Sequence, residues 1–111
     1  MSDLLAKIKH AIKEDITVSN ATLENIAEEW YHEIDRLIDE KHIYRVGFEN
    51  GLHYAEVVIT RENLDVNRYN FNKIGDILKD KIGGLDALEI EIFQRIPGVY
   101  KVHVIMYMKE V

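Results

Sequence analysis

The chain has no cysteine among its 111 residues, a single proline, and only 14 Lys and Arg against 20 Asp and Glu. Each shortage excludes something. Without thiols there is no disulfide framework, no cysteine-ligated zinc or iron–sulfur centre and no thiol nucleophile. A formal net charge of -6 excludes charge-driven, general nucleic-acid binding, which needs a basic surface to displace phosphate counterions. No apolar run approaches the roughly 20 residues that cross a bilayer. The opening residues interleave charges with apolar positions and offer no small-residue cleavage site, so no signal peptide is expected. Cytoplasmic residence is the default expectation. Serine is scarce as well, with only Ser2 and Ser19. No nucleophile elbow, phosphate loop, dinucleotide fingerprint or paired-histidine metal motif is present, and no cofactor is expected.

What is there is a 47% hydrophobic chain, long enough to form one compact domain over 1–111. Its acidity is not spread evenly. Residues 15–41 carry eight acids against Arg36 and Lys41, a net -6 that equals the charge of the whole chain. A localised field of that kind can steer a partner, whereas even acidity means only solubility.

Leu4, Leu5, Ile8, Ala11 and Ile12 recur at helical spacing and predict a short amphipathic helix over about 3–14. Asp15-Ile16-Thr17-Val18-Ser19-Asn20 is expected to break it, with Ser19 or Asn20 capping a second helix over about 20–40. In that helix Leu23, Ile26, Ala27, Trp30, Ile34, Leu37 and Ile38 fall within an arc of about 120°. Its solvent side carries two acidic ridges. Glu24, Glu28, Asp35 and Asp39 lie within about 60° of one another, and no basic residue of the same helix faces them. Glu29, Glu33 and Glu40 form the other ridge, with Arg36 placed to pair with Glu33 and Glu40.

Asn50-Gly51 between two β-rich runs predicts a type I′ hairpin of strands about 42–49 and 52–60. That register sets Arg45 opposite Glu56. It groups Tyr44, Val46, Phe48, Ala55, Val57 and Ile59 as a core face. Ile43, the Arg45–Glu56 pair, Gly47, Tyr54 and Val58 fall on the other face. A further helix is expected over about 66–82, capped by Asp65 or Asn67 and ended by Gly83-Gly84. Gly75 within it suggests close packing on a neighbour. Two more strands, about 87–96 and 99–109, flank Pro97-Gly98. A strict two-residue loop would set Glu89 and Glu91 beside apolar residues. The expected register is therefore slipped by one residue, through a bulge or a longer loop, aligning Leu88, Ile90 and Ile92 with Met108, Met106 and Val104.

The fold class read from this order is α+β, α-α-β-β-α-β-β, with a single four-stranded antiparallel sheet built from two hairpins and helices packed mainly on one face. The outer face, with Ile43, Tyr54, Val58, Phe93, Ile105 and Tyr107, is more apolar than a solvated face, so either the first helix crosses to that side or a second copy covers it, and a homodimer is expected. The best metal or acid–base candidates are Glu28, Glu29 and His32, with carboxylates and imidazole on adjacent helical turns; His103 on the outer face is another acid–base candidate.

These residues favour a small binding or regulatory protein acting through protein contacts rather than an enzyme. Its expected contact residues are Glu24, Glu28, Asp35, Asp39, Ile43, Tyr54, Val58 and Tyr107. The sharper version is an acidic inhibitor of a basic partner surface. A structural subunit forming homo-oligomers and a small metal-dependent enzyme using Glu28, Glu29 and His32 are the alternatives. Neither a membrane nor direct nucleic-acid binding is expected.

Overall fold

The computed structural model describes residues 2–62, 64 and 71–110, and the side chains of all of these except 2, 3 and 10–22. Its elements are α1 (Ser2–Asp39), β1 (Arg45–Glu49), β2 (Leu52–Glu62), α2 (Phe71–Ile82), β3 (Ala87–Ile96) and β4 (Val99–Met108). The four strands form one antiparallel sheet in the order β1-β2-β4-β3. The α+β class, the single sheet and the two hairpins are those expected from the sequence.

The two helices expected over about 3–14 and 20–40 are one helix of 38 residues. The stretch from Asp15 to Asn20 offers capping oxygens but contains neither proline nor glycine. Thr, Val, Ser and Asn in a helix interior cost only a few tenths of a kcal/mol each, up to about 0.7, so nothing in the stretch forces a break. The expected caps Ser19 and Asn20 lie among side chains outside the description, as do Asp65 and Asn67 before α2. At its other end α1 closes without glycine. Lys41 takes φ 59°, its N–H bonds the Ile38 carbonyl at 3.0 Å, and the His42 N–H bonds the Leu37 carbonyl at 2.7 Å. That is the paired-bond closure usually built on glycine.

Helix α1 supplies Leu23, Ala27, Trp30, Ile34 and Leu37 to the core, and α2 supplies Ile74 and Leu78. They meet Val57 and Ile59 of β2 and Val102, Val104 and Met106 of β4. Trp30 is 1% exposed and stacks on Phe71, with ring centroids 6.3 Å apart and planes 10° from parallel, which ties the two helices together.

Tyr44, Val46 and Phe48 do not join this core. They are 64%, 67% and 64% exposed. Alternation assigns Val46 and Phe48 correctly to the side of Ala55, Val57 and Ile59, but β1 is the sheet edge and the helices pack against β2 and β3. Tyr44 precedes β1 and turns its ring to the opposite face, as its contact with His103 shows.

The first hairpin has the expected register, Arg45 opposite Glu56 and Glu49 opposite Leu52, with Asn50 at φ 53° and Gly51 at φ 79° in the turn. The second is slipped, but in the other direction. Leu88, Ile90 and Ile92 pair with Met106, Val104 and Val102. Pro97-Gly98 remains a two-residue turn with Ile96 opposite Val99, and the extra residue is Arg95, in a bulge between Gln94 and Ile96. The two alignments differ by two residues, so both keep the same apolar set on the core face. Strand β4 is central, between β2 and β3.

Gly75 does sit on the sheet, against β3. A Cβ there would lie 3.5 Å from Leu88 Cδ2 and 3.6 Å from Ile90 Cδ1, an ordinary contact. Gly75→Ala is therefore expected to stabilise the fold by about 1 kcal/mol through helix propensity, read as a higher urea midpoint at unchanged m. A lower midpoint would show that the helix cannot accept the methyl group.

Candidate binding site on the outer face of the sheet

The face of the sheet turned away from the helices is assembled from alternate residues of all four strands. Gly47, Tyr54, Tyr107 and Ala87 form one row, and Arg45, Glu56, Ile105 and Glu89 the next. Val58, His103 and Glu91 follow, then Thr60, Lys101 and Phe93. The Tyr54 ring lies across Gly47, where a Cβ would come within 2.5 Å of the Tyr54 Oη. Glycine in this strand thus makes room for an aromatic ring on its neighbour. Tyr54 also meets the Tyr107 ring at a tilt of 52°, centroids 5.8 Å apart, and receives the Arg45 guanidinium 5.6 Å above its ring.

At the centre of this face is a buried carboxylate. Glu56 is 1% exposed, a burial that is costly for a charge unless it is paired. Two groups pair with it. His103 Nδ1 lies 2.6 Å from Glu56 Oε1, and Arg45 Nη2 lies 2.8 Å from Oε2 in an ion-pair contact that is out of line for a hydrogen bond. The negative charge of Glu56, first among several neighbours, holds the Arg45 guanidinium above its ordinary range. His103 Nδ1 and Glu56 Oε1 are thus joined by a short hydrogen bond in the middle of the face. The imidazole is thereby oriented, with Nε2 left for another partner. A carboxylate serves the same orienting purpose for histidines that bind metals or move protons.

Two aromatic rings hold the imidazole from the sides. Tyr44 meets it edge-on at 5.3 Å and Phe93 at 4.9 Å. Together with Val58, Arg95 and Lys101, these residues line a concavity of about 490 Å³. Lys101 is anchored at its rim by donating from Nζ to Thr60 Oγ1 at 2.9 Å.

Of the residues singled out in the sequence, Tyr54, Val58 and Tyr107 are on this face and half-buried, and Ile43 is 41% exposed. Burial, with Glu89 next, raises the Tyr107 phenol above its ordinary range, and its hydroxyl donates to Glu89 at 3.3 Å. The Arg45–Glu56 pair was legible from the hairpin. The Glu56–His103 pair was not, because it depends on β2 lying beside β4, two strands with β3 and α2 between them in sequence. The only signal for it was a lone acid inside the apolar run from Tyr54 to Ile59.

The acidic helix is less uncompensated than its sequence implies. Glu28 receives a hydrogen bond from Lys81 in the last turn of α2 and lies 3.0 Å from His32 Nε2. Lys81, ahead of the weaker His32, lowers the Glu28 carboxyl below the usual carboxylate range. Glu24, Asp35 and Asp39 are exposed on the same ridge. On the second ridge Arg36 bonds both Glu33 and Glu40, at 3.0 and 2.8 Å, as the spacing implies. Glu29 faces Arg61 instead, at 3.7 Å. Glu28, Glu29 and His32 therefore do not converge, and among the described residues no three His, Asp or Glu side chains form a metal-binding group.

The Glu28–Lys81 contact makes a pH prediction. A carboxyl lowered in the folded state adds stability above its unfolded pKa and loses it as the pH falls through the folded one. Lys81→Met is expected to move the Glu28 midpoint upward in an NMR titration and to flatten the acid side of the stability profile. An unmoved midpoint would show that Lys81 does not hold Glu28 in solution.

Fold and site together define the class: an α+β protein whose antiparallel sheet has one face under two helices and the other shaped around a carboxylate-bound histidine. No protein-family model, curated protein or solved structure matches the chain. Among the described residues no helix is long and apolar enough to cross a membrane.

Proposed function

We propose that this is a binding protein that acts through protein–protein contacts, and that one of its partners is a second copy of the same chain. The observation that carries the reading is a pair of apolar surfaces that the chain's own core leaves uncovered. One is the start of α1, where Leu4, Leu5 and Ile8 are 66%, 53% and 49% exposed. The other is the helix side of β1, with Val46 and Phe48.

Length supports pairing between copies. A 38-residue helix is about 57 Å long at 1.5 Å per residue. The ten-residue strands β3 and β4 span about 33 Å. Helix α1 thus outruns its own sheet while its apolar spacing continues to its first turn. In a two-fold dimer the start of α1 from one copy would cover β1 of the other, and the reverse, burying both surfaces at once.

Light scattering at tens of micromolar chain is expected to give a dimer mass. Leu4→Glu with Ile8→Glu, and separately Val46→Glu with Phe48→Glu, are each expected to give monomers with native circular dichroism. A wild-type monomer, or a dimer that survives both variants, would sink the reading. Larger species that grow with concentration would favour an assembly role, with β3 as the other open edge of the sheet. The acidic-inhibitor version is weaker than the sequence implied, because Lys81 already answers Glu28, the ridge's second carboxylate.

A further inference from the structure

We propose that the concavity around His103 is a binding site for a small organic acid with a flat apolar body. Three observations converge on that ligand class.

The first is charge. The lining is Tyr44, Val58, Phe93, Arg95, Lys101 and His103. Its lining side chains include two cations and no carboxylate, and the Glu56 carboxylate behind His103 is already paired with the imidazole and with Arg45, in a chain whose net charge is -6. The hollow at the other end of the same face is lined by Glu49, Glu89 and Glu91 as well as Arg45, and the hollow between α2 and β3 by Asp76, Glu89 and Glu91. An anion is accepted at the first and opposed at the others. Arg95 offers a planar fork for a carboxylate or phosphate, and Lys101 a point charge.

The second is preorganisation. Glu56 fixes the imidazole through Nδ1, and His103 is close to neighbours on both flanks, Tyr44 and Phe93. The imidazole wall of the concavity is therefore held in place before any ligand arrives, which lowers the ordering cost of binding. Arg95 is itself the extra residue of the β3 bulge, a device that re-aims side chains near sites.

The third is shape. Tyr44 and Phe93 are 64% and 48% exposed, and with Val58 they give apolar walls beside the cations. A volume of about 490 Å³ is within the range of small-molecule sites, roughly 300–1,000 Å³. A flat ring between two aromatic side chains, with its acid group toward Arg95 and Lys101, uses every wall.

The site is on the opposite face of the sheet from Val46 and Phe48, so its test is independent of self-association. Amide NMR titrations with benzoate and with phenyl phosphate would compare the two acid groups, and benzamide would serve as the neutral control. The expected result is saturable one-to-one binding of at least one acid, with Kd below about 1 mM. The shifts should centre on Tyr44, Phe93, Lys101 and His103, and benzamide should bind at least tenfold more weakly. Arg95→Glu with Lys101→Glu should weaken the acid at least tenfold while circular dichroism stays native. Three results would each overturn the proposal: no saturable shift up to about 10 mM acid, equal binding of benzamide, or unchanged affinity in the double variant. If that variant misfolds, Arg95→Gln alone is expected to weaken binding several-fold, and no change there counts against the site.

Discussion

Trp30→Ala is expected to remove about 3–5 kcal/mol of stability, the usual cost of truncating a fully buried tryptophan. The residue sits where α1, α2 and the sheet meet. It is on the sheet-facing stripe of α1, belongs to the core cluster with Val57 and Val104, and stacks on Phe71 at the start of α2. Its loss opens a cavity and also loosens the contact between α1 and α2. Total stabilities of small domains are about 5–15 kcal/mol, so the variant would be near its unfolding threshold at physiological temperature. At roughly 4 °C per kcal/mol for a chain of this size, the Tm is expected to fall by about 12–20 °C. Trp30 is the sole tryptophan, so far-UV circular dichroism rather than fluorescence must report the transition. Trp30→Phe keeps an aromatic ring against Phe71 and should cost roughly half as much. A fall of less than about 1 kcal/mol for the alanine variant would mean that Trp30 is not packed as described.

The second large effect is expected at Glu56, and its origin is electrostatic rather than steric. Glu56→Ala strands Nδ1 of His103, whose side chain is 15% exposed, at a cost of about 1–3 kcal/mol for an unsatisfied buried group. Arg45 is 56% exposed, so water takes over its solvation and adds little to that cost. Glu56→Gln keeps an acceptor for His103 and is expected to lose only about 1 kcal/mol. The informative comparison is Glu56→Leu with His103→Leu, in which no polar group is stranded. That double variant should be more stable than Glu56→Ala, because removing both partners of a buried pair costs less than removing one. Urea unfolding supplies the energies, and imidazole nitrogen shifts should show the Nδ1 hydrogen bond lost in the alanine variant. A destabilisation as large in the double variant as in the single one would assign the cost to lost packing instead.

The legible parts of the fold were those governed by local rules. Asn50-Gly51 specified its turn and, through it, every pair from Arg45–Glu56 to Glu49–Leu52. The stripe from Leu23 to Leu37 marked the buried face of α1, and Gly83 marked the end of α2 at φ 70°. Sequence and structure part where two local options have similar energies. From Asp15 to Asn20 the chain has capping side chains but no obligate breaker, so helix continuation and helix restart compete on small propensity differences. At Pro97-Gly98 both a longer loop and a strand bulge rescue the apolar alignment, and the chain takes the bulge at Arg95.

The candidate site was partly hidden for a related reason. Arg45, Val58 and Tyr54 were assigned to the right face by alternation alone, because period two needs no knowledge of neighbours. His103 was assigned to that face as well, but its partner was not, since Glu56 becomes adjacent only when β2 pairs with β4. The acidic ridge shows the converse. Within α1 only His32 is spaced to reach Glu28, and the cation that balances it, Lys81, arrives from α2, 53 positions away.

By itself, then, the sequence determined the class of fold, the hairpin at Asn50-Gly51, the core stripe of α1 and the concentration of acid between residues 15 and 41. Those follow from turn chemistry, periodicity and composition, which act over a few residues. The tertiary structure alone decided that β1 is an uncovered edge, that Lys81 answers Glu28, and that Glu56 and His103 meet in the middle of a sheet face. Each of these depends on which distant segments become neighbours, a choice made by the packing of the whole chain.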